Sequence, residues 1–453
     1  MIINKFQIKL LKITMFINLF YSISCTVKQH NKDEKPKDYY VEQNYKSLEQ
    51  KNIENEIEKY NQVIFSDLIK SVQIGTKSIS TGEPCYSLGS NDNISIDFDI
   101  LNGNIESLQY EIIHCNKNWE KSNLMEMEYI EGFAINFIEN NEISHGPIQQ
   151  YIHYNFEVPN ENLNFIKSGN YIIKVFYEND IQNPLMTLKL FVSEQVSTID
   201  FNLLKSNNME QRKYIQNYEV NCTYNPQNIN DPYTNIFINI QQNHQEFDEH
   251  WLSGPNFIRE NKLVFLTDED LFFDGSNEFR FFEMSTFRHG SQNIKKIFLD
   301  ENVYKIVLEK DTRRSYKQYL EYKDLDGRYF TRTYDNDNVN SQGEYGVVNF
   351  ELPIRYKINE GIYIFGELSN WSINESFKMK YDTISKSYKN SIILKQGYYN
   401  YLYVTKDHEK ISTRQLEGAH FETNNEYIIK VYYRDPLELY DRLLGYQVFK
   451  INS

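Results

Sequence analysis

The heptapeptide YIIKVFY at 171–177 returns almost unchanged as YIIKVYY at 427–433. Tyr, Ile, Val and Phe suit a pleated, half-buried surface. In an extended chain, successive side chains alternate between two faces. Tyr171, Ile173, Val175 and Tyr177 then share one face. Ile172 and Phe176 share the other, beside Lys174. The same alternation marks ISIDFDI at 94–100 and TLKLFV at 187–192, while TNIFINI at 234–240, KLVFL at 262–266, EFRFFEM at 278–284, GIYIFGEL at 361–368 and YYNYLYV at 398–404 are strand-like in composition. Clusters of Asn, Gly, Asp and Pro separate these runs, and Asp274-Gly275 reads as a turn. Such short, punctuated strands predict antiparallel β-sandwiches in tandem. The repeated heptapeptide fits closing strands of two similar sandwiches. Two matches do not make a repeat of fixed period, and strand composition alone yields the same match.

The chain has 453 residues, enough for several domains. Five segments are expected. Residues 1–24 read as a signal peptide, with Lys5, Lys9 and Lys12 ahead of a short apolar stretch. That stretch is too short to span a bilayer. Cys25 follows Ser-Ile-Ser, which points to a lipoprotein acylated at Cys25, against the rival of ordinary cleavage. Residues 25–62 are polar and charged and read as a tether, part of it helical. Residues 63–197, 198–312 and 313–453 read as three β-rich domains.

A formal charge of −15, with three lysines in the export signal, argues against nucleic acid as a partner. Anionic lipid surfaces would repel it equally. Beyond Cys25 the chain holds Cys85, Cys115 and Cys222, so at most one internal disulfide can form. Cys85 and Cys115 fall in one expected domain; pairing and free thiols both stay open.

The segment Tyr110–Phe133 gathers His114, Cys115, Trp119, Tyr129, Gly132 and Phe133. A Cys–His pair can act as nucleophile and base. Here the two are neighbours on an apparent strand, so their side chains diverge. His145 and His153 flank Tyr151, and His244 and His250 bracket Phe247, without a metal-ligand spacing. Asp268, Glu269 and Asp270 are adjacent in a polar loop, whereas a glycosidase dyad needs separation across a cleft. The chain has no GxSxG elbow, no phosphate loop and no CxxC. The segment therefore reads as a structural signature, with Trp119 and Phe133 as packing residues. No catalytic residue, metal or cofactor is expected.

Gly361–Val404 resembles the early-set sandwich of glycogen-binding modules. The carrying residues are Gly366-Glu367-Leu368-Ser369-Asn370-Trp371, then Leu394 and Gly397-Tyr398-Tyr399-Asn400-Tyr401. Leu368 and Ser369 replace the family's Phe and Asn, and Tyr388 stands near the place of its second tryptophan. The resemblance implies an immunoglobulin- or early-set-like fold and, as the alternative function, a glycan-binding lipoprotein using Trp371.

Over residues 63 to the end the chain resembles the type IX secretion system plug proteins of Bacteroidetes. The resemblance rests on Tyr110–Phe133, Tyr151–Tyr154, Val158-Pro159-Asn160, Ser168–Tyr171, Gly275–Arg280, Glu417-Gly418, Phe421-Glu422, Val431–Arg434, Tyr440–Leu443 and Gly445. Asn116, Asn118 and Ser144-His145-Gly146 depart from the family's pattern. The resemblance implies a periplasmic, non-enzymatic β-sandwich protein. Its partner would be the large translocon barrel of the outer membrane, sealed at rest. Arg434 and Arg442 are candidates either for partner contact or for internal ion pairs.

Overall fold

The computed structural model describes residues 61–76, 82–101, 103–225, 229–267, 271–408, 410–438 and 440–451. The expected signal peptide, Cys25 and all but the last two residues of the tether lie outside them, as does the acidic run 268–270. The described chain is nearly all β and builds three sandwiches.

In the first, one sheet runs Val63–Ile64, Met186–Ser193, Gly169–Tyr177, Leu108–Cys115 and Ile135–Ile138, all antiparallel, with Cys85–Ser87 added in parallel to Met186–Ser193. The other runs Ile69–Thr76, Ile94–Ile100, Ile152–Val158 and Asn140–Ile143. Ile96, Phe98, Tyr110, Ile112, Tyr171, Ile173 and Leu190 fill the space between them.

The second sandwich takes Thr198–Leu204, Ile215–Thr223, Lys262–Leu266 and Phe257–Arg259 as one sheet. Its other sheet is His250–Ser253, Ile236–Gln242, Asn425–Tyr433 and Arg442–Ile451. Residues 425–451, expected to end the third domain, thus complete the second. The third sandwich is inserted between Phe273–Asp274 and Asn425–Tyr433. The boundary expected at 312–313 falls inside that insertion, because Val303–Leu308 pairs in parallel with Tyr345–Pro353. Alternation identifies a strand but not its partner, and these partners are far apart in sequence.

Where the insertion leaves and returns, the two chain segments press together. A Cβ at Gly275 would lie 2.0 Å from the carbonyl oxygen of His420. The His420 amide donates to Ser276 O at 3.0 Å, and Asn425 Nδ2 donates to Gly275 O at 2.8 Å. Gly275 is therefore required by close approach and not by the turn read from Asp274-Gly275.

The two heptapeptides occupy equivalent places. Each is an inner strand hairpinned to the strand that follows it. Tyr171, Ile173 and Val175 enter the first core, and Tyr427, Ile429, Val431 and Tyr433 enter the second. The alternate residues of the second heptapeptide face the first sandwich. Ile428 and Tyr432 pack with Phe191, Leu443 and Tyr446, and the Tyr432 hydroxyl donates to Asn170 Oδ1 at 2.8 Å.

Candidate functional site

Strand alternation decides the geometry of Tyr110–Phe133. His114 lies opposite Tyr171 on the core side, with its ring edge-on to Tyr171 at 4.9 Å and to Tyr440 at 5.6 Å. Burial pushes its pKa down to about 4, so the ring is neutral at ordinary pH. Cys115 faces the other way, with Ile113, Ile172 and Trp119. Burial pushes its thiol up to about 12. A neutral imidazole and a protonated thiol on opposite faces cannot form an activated nucleophile. Cys85, Cys115 and Cys222 are all free thiols.

Trp119 packs edge-on against Phe191 at 5.3 Å, and the Lys189 ammonium sits 4.5 Å from its ring centre. Tyr129 is buried and donates to Ile112 O at 3.3 Å. Gly132 pairs with Leu163 in a small two-stranded antiparallel sheet, Ile130–Gly132 with Leu163–Phe165. Phe133, expected to pack, is instead 69% exposed. Its backbone leaves that strand pair, so the side chain is turned away from the core.

The C-terminal arginines close the junction between the first two sandwiches. Arg442 grips Glu194 at 2.9 and 2.7 Å. Arg434 lies 3.7 Å from Asp441 and donates to Asn116 Oδ1 at 3.2 Å. Asp441 also accepts from the Lys117 amide at 3.0 Å.

Where all three sandwiches meet, Glu83, His244 and Glu426 converge closely enough to resemble a metal triad. Arg328 already takes that place. Its Nη2 donates to Glu83 and, at 2.6 Å, to Glu426, and lies 2.9 Å from His244 Nε2. A guanidinium amid two carboxylates supplies the positive charge that a cation would bring. Trp371 stacks on His244 at 4.5 Å and meets Phe365 edge-on at 5.8 Å. Its ring is committed to this junction, whereas a sugar platform needs an open aromatic face.

The first and third sandwiches share a buried charge network. Asp99 accepts from Lys395 at 2.7 Å, from Tyr345 at 2.6 Å and from His153 at 2.8 Å. The Tyr151 hydroxyl donates to Gly343 O at 3.0 Å beside it. Sequence reading missed Asp99, Lys395, Arg328 and Glu426, because a charge alternating with apolar residues looks like a solvent face. These clusters tie three sandwiches together, with cation and carboxylate matched.

Residues 69–194, the first sandwich, match the model of the type 9 secretion system plug protein first domain. The chain belongs to the type IX secretion system plug protein family. The fold also matches a crystal structure of a hypothetical protein from Parabacteroides merdae at TM-score 0.83 and 30% identity, covering 86% of this chain and 99% of that one. An alignment with dimeric latent PorU from Porphyromonas gingivalis has a TM-score of 0.13 and 9% identity over 85% of this chain and 34% of that chain, below any correspondence of fold. No curated protein matches the chain. The family ties the chain to type IX secretion and to a periplasmic or outer-membrane-associated setting. Among the described residues, no helix is long and apolar enough to cross a membrane.

Proposed function

We propose that this chain is a non-enzymatic periplasmic plug that seals the translocon barrel of the type IX secretion system at rest. The family match of the first sandwich carries the reading. Physical support comes from the junctions. A body that closes a wide opening must resist deformation, and hydrogen-bonded charges tie all three sandwiches. Removing one partner of such a buried pair is costly, so the sandwiches move together. Surface complementarity then suffices for sealing. Acylation at Cys25, followed by a polar tether, would raise the local concentration near the barrel.

Affinity purification of the tagged chain from native membranes tests this reading. Recovery of the large outer-membrane barrel is expected, and its absence overturns the proposal. A strain lacking the chain should also admit large antibiotics that the outer membrane normally excludes.

A further inference from the structure

The stretch Glu131–Glu139 reads EGFAINFIE. Its odd-numbered residues are all exposed. Phe133 is 69%, Ile135 43% and Phe137 51% accessible, with the carboxylates of Glu131 and Glu139 at the two ends. Its even-numbered residues Ala134, Asn136 and Ile138 are buried. Isolated apolar side chains on a surface are ordinary, but Ile135 and Phe137 alternating on one strand, with Phe133 just before it, form a patch.

Among the described residues that strand, Ile135–Ile138, is also an edge of its sheet and pairs only with Leu108–Cys115. The Ile112 amide donates to Ala134 O at 3.0 Å, and Tyr110 lies opposite Asn136. Antiparallel pairs alternate between bonded and non-bonded, so Ala134, Asn136 and Ile138 direct their backbone groups inward. The N–H and C=O of Ile135 and Phe137 point to the open edge. Exposed edges are usually blunted by lysine, proline or a bulge. This one carries none of these between Gly132 and Glu139.

We propose that this edge receives an extended segment of a protein partner by strand addition. The segment carries apolar residues at alternate positions and lysine or arginine at both ends. Backbone groups of Ile135 and Phe137 supply the pairing, and the apolar stripe supplies the contact area. The terminal carboxylates set the charge. Glu131 and Glu139 are exposed and form no ion pair among the described residues, so they are available to basic residues. The same carboxylates disfavour an anionic lipid surface. Edge-to-edge pairing with a second copy would bring like charges together. The inference rests on the plug reading, in which the translocon contributes the segment.

The test uses the full chain in native membranes. Phe137→Pro removes one outward donor and leaves the inward ladder intact. Phe137→Glu keeps the backbone and removes the apolar contact. Ile384→Glu, at a site 93% exposed on the third sandwich, is the control. Both Phe137 variants should recover at least tenfold less barrel protein than wild type, and Ile384→Glu should recover as much. A photo-reactive amino acid at 137 should crosslink to the barrel, which keeps the test valid if Phe137→Pro fails to fold. Equal recovery by wild type and Phe137→Glu overturns the edge inference and leaves the plug reading standing. So does a crosslink from 137 to a second copy of this chain. No recovery even by wild type overturns both.

Discussion

Lys395 of the third sandwich donates to Asp99 of the first at 2.7 Å, with side chains 2% and 1% exposed. Two desolvated charges gain little over an apolar pair, but either alone is left uncompensated. Lys395→Met should cost about 3–5 kcal/mol of stability. The double variant Asp99→Asn with Lys395→Met should cost less than the sum of the single changes. Denaturant unfolding of the four proteins measures the coupling, and additive losses would show that the pair contributes nothing specific.

His153 completes the same network and gives it a pH signature. Burial disfavours its charged ring. The Asp97 carboxylate 3.5 Å from its Nε2, the hydrogen bond to Asp99 and the Asp99 charge outweigh burial and raise its pKa to about 9, with the Lys395 charge opposing. The folded value exceeds the unfolded one, so the stabilisation is complete below about pH 6.5 and disappears as pH rises through 9. The wild type should lose on the order of 3 kcal/mol between those limits relative to His153→Gln. An NMR titration of the His153 ring checks the value directly. A midpoint near 6.5 would sink the prediction.

The strands themselves were legible. ISIDFDI at 94–100 is a strand over those same residues, and both heptapeptides are strands. What alternation could not show is that these sheets are covered on both sides. Lys174 and Lys430 look like solvent-facing breaks, yet Lys430 is buried and donates to Gln241 at 2.8 Å. Asp99 was hidden for the same reason. Its outer face is covered by a sandwich whose strands begin far along the chain. Phe133 errs in the opposite direction. An aromatic residue after glycine reads as core, but the backbone leaving the strand pair at Gly132 turns it outward. The Cys–His reading needed only strand alternation, which is a local property.

The free thiols should be inert while the protein is folded. Burial pushes Cys115 and Cys222 up to about 12, and Cys85 is raised as well, by burial and the nearby Glu83 charge. Only the thiolate reacts with disulfide reagents. In a soluble form carrying Cys25→Ser, Ellman's reagent at pH 8 should titrate no thiol before denaturation and all three afterwards. Two thiols fewer after denaturation would reveal a disulfide.

Gly132 is irreplaceable for a backbone reason. Its φ is +103°, and a Cβ there would lie 2.1 Å from Asn162 O. Gly132→Ala should therefore cost about 2 kcal/mol or more. The loss should appear as a lower denaturant midpoint without a change in the slope. An unchanged midpoint would mean that the strand pair of Ile130–Gly132 with Leu163–Phe165 relaxes freely.

Inserting the third sandwich within the second makes the chain's end essential to its middle. Ending the chain at Asn424 removes Asn425–Tyr433 and Arg442–Ile451. Ile236–Gln242 then loses its partner along seven residue pairs, and the second core loses Tyr427, Ile429, Val431, Tyr433 and Leu444. Each such side chain stabilises by about 1.5–3 kcal/mol when fully buried, so the loss is comparable to the whole stability of an ordinary domain. The truncated chain should have an unfolded second sandwich, open to protease between residues 198 and 267. The third sandwich retains every strand of its two sheets and should stay resistant. Limited proteolysis with mass mapping distinguishes this from a separate third domain spanning 313–453. In that arrangement the truncation would unfold the third domain and spare the second.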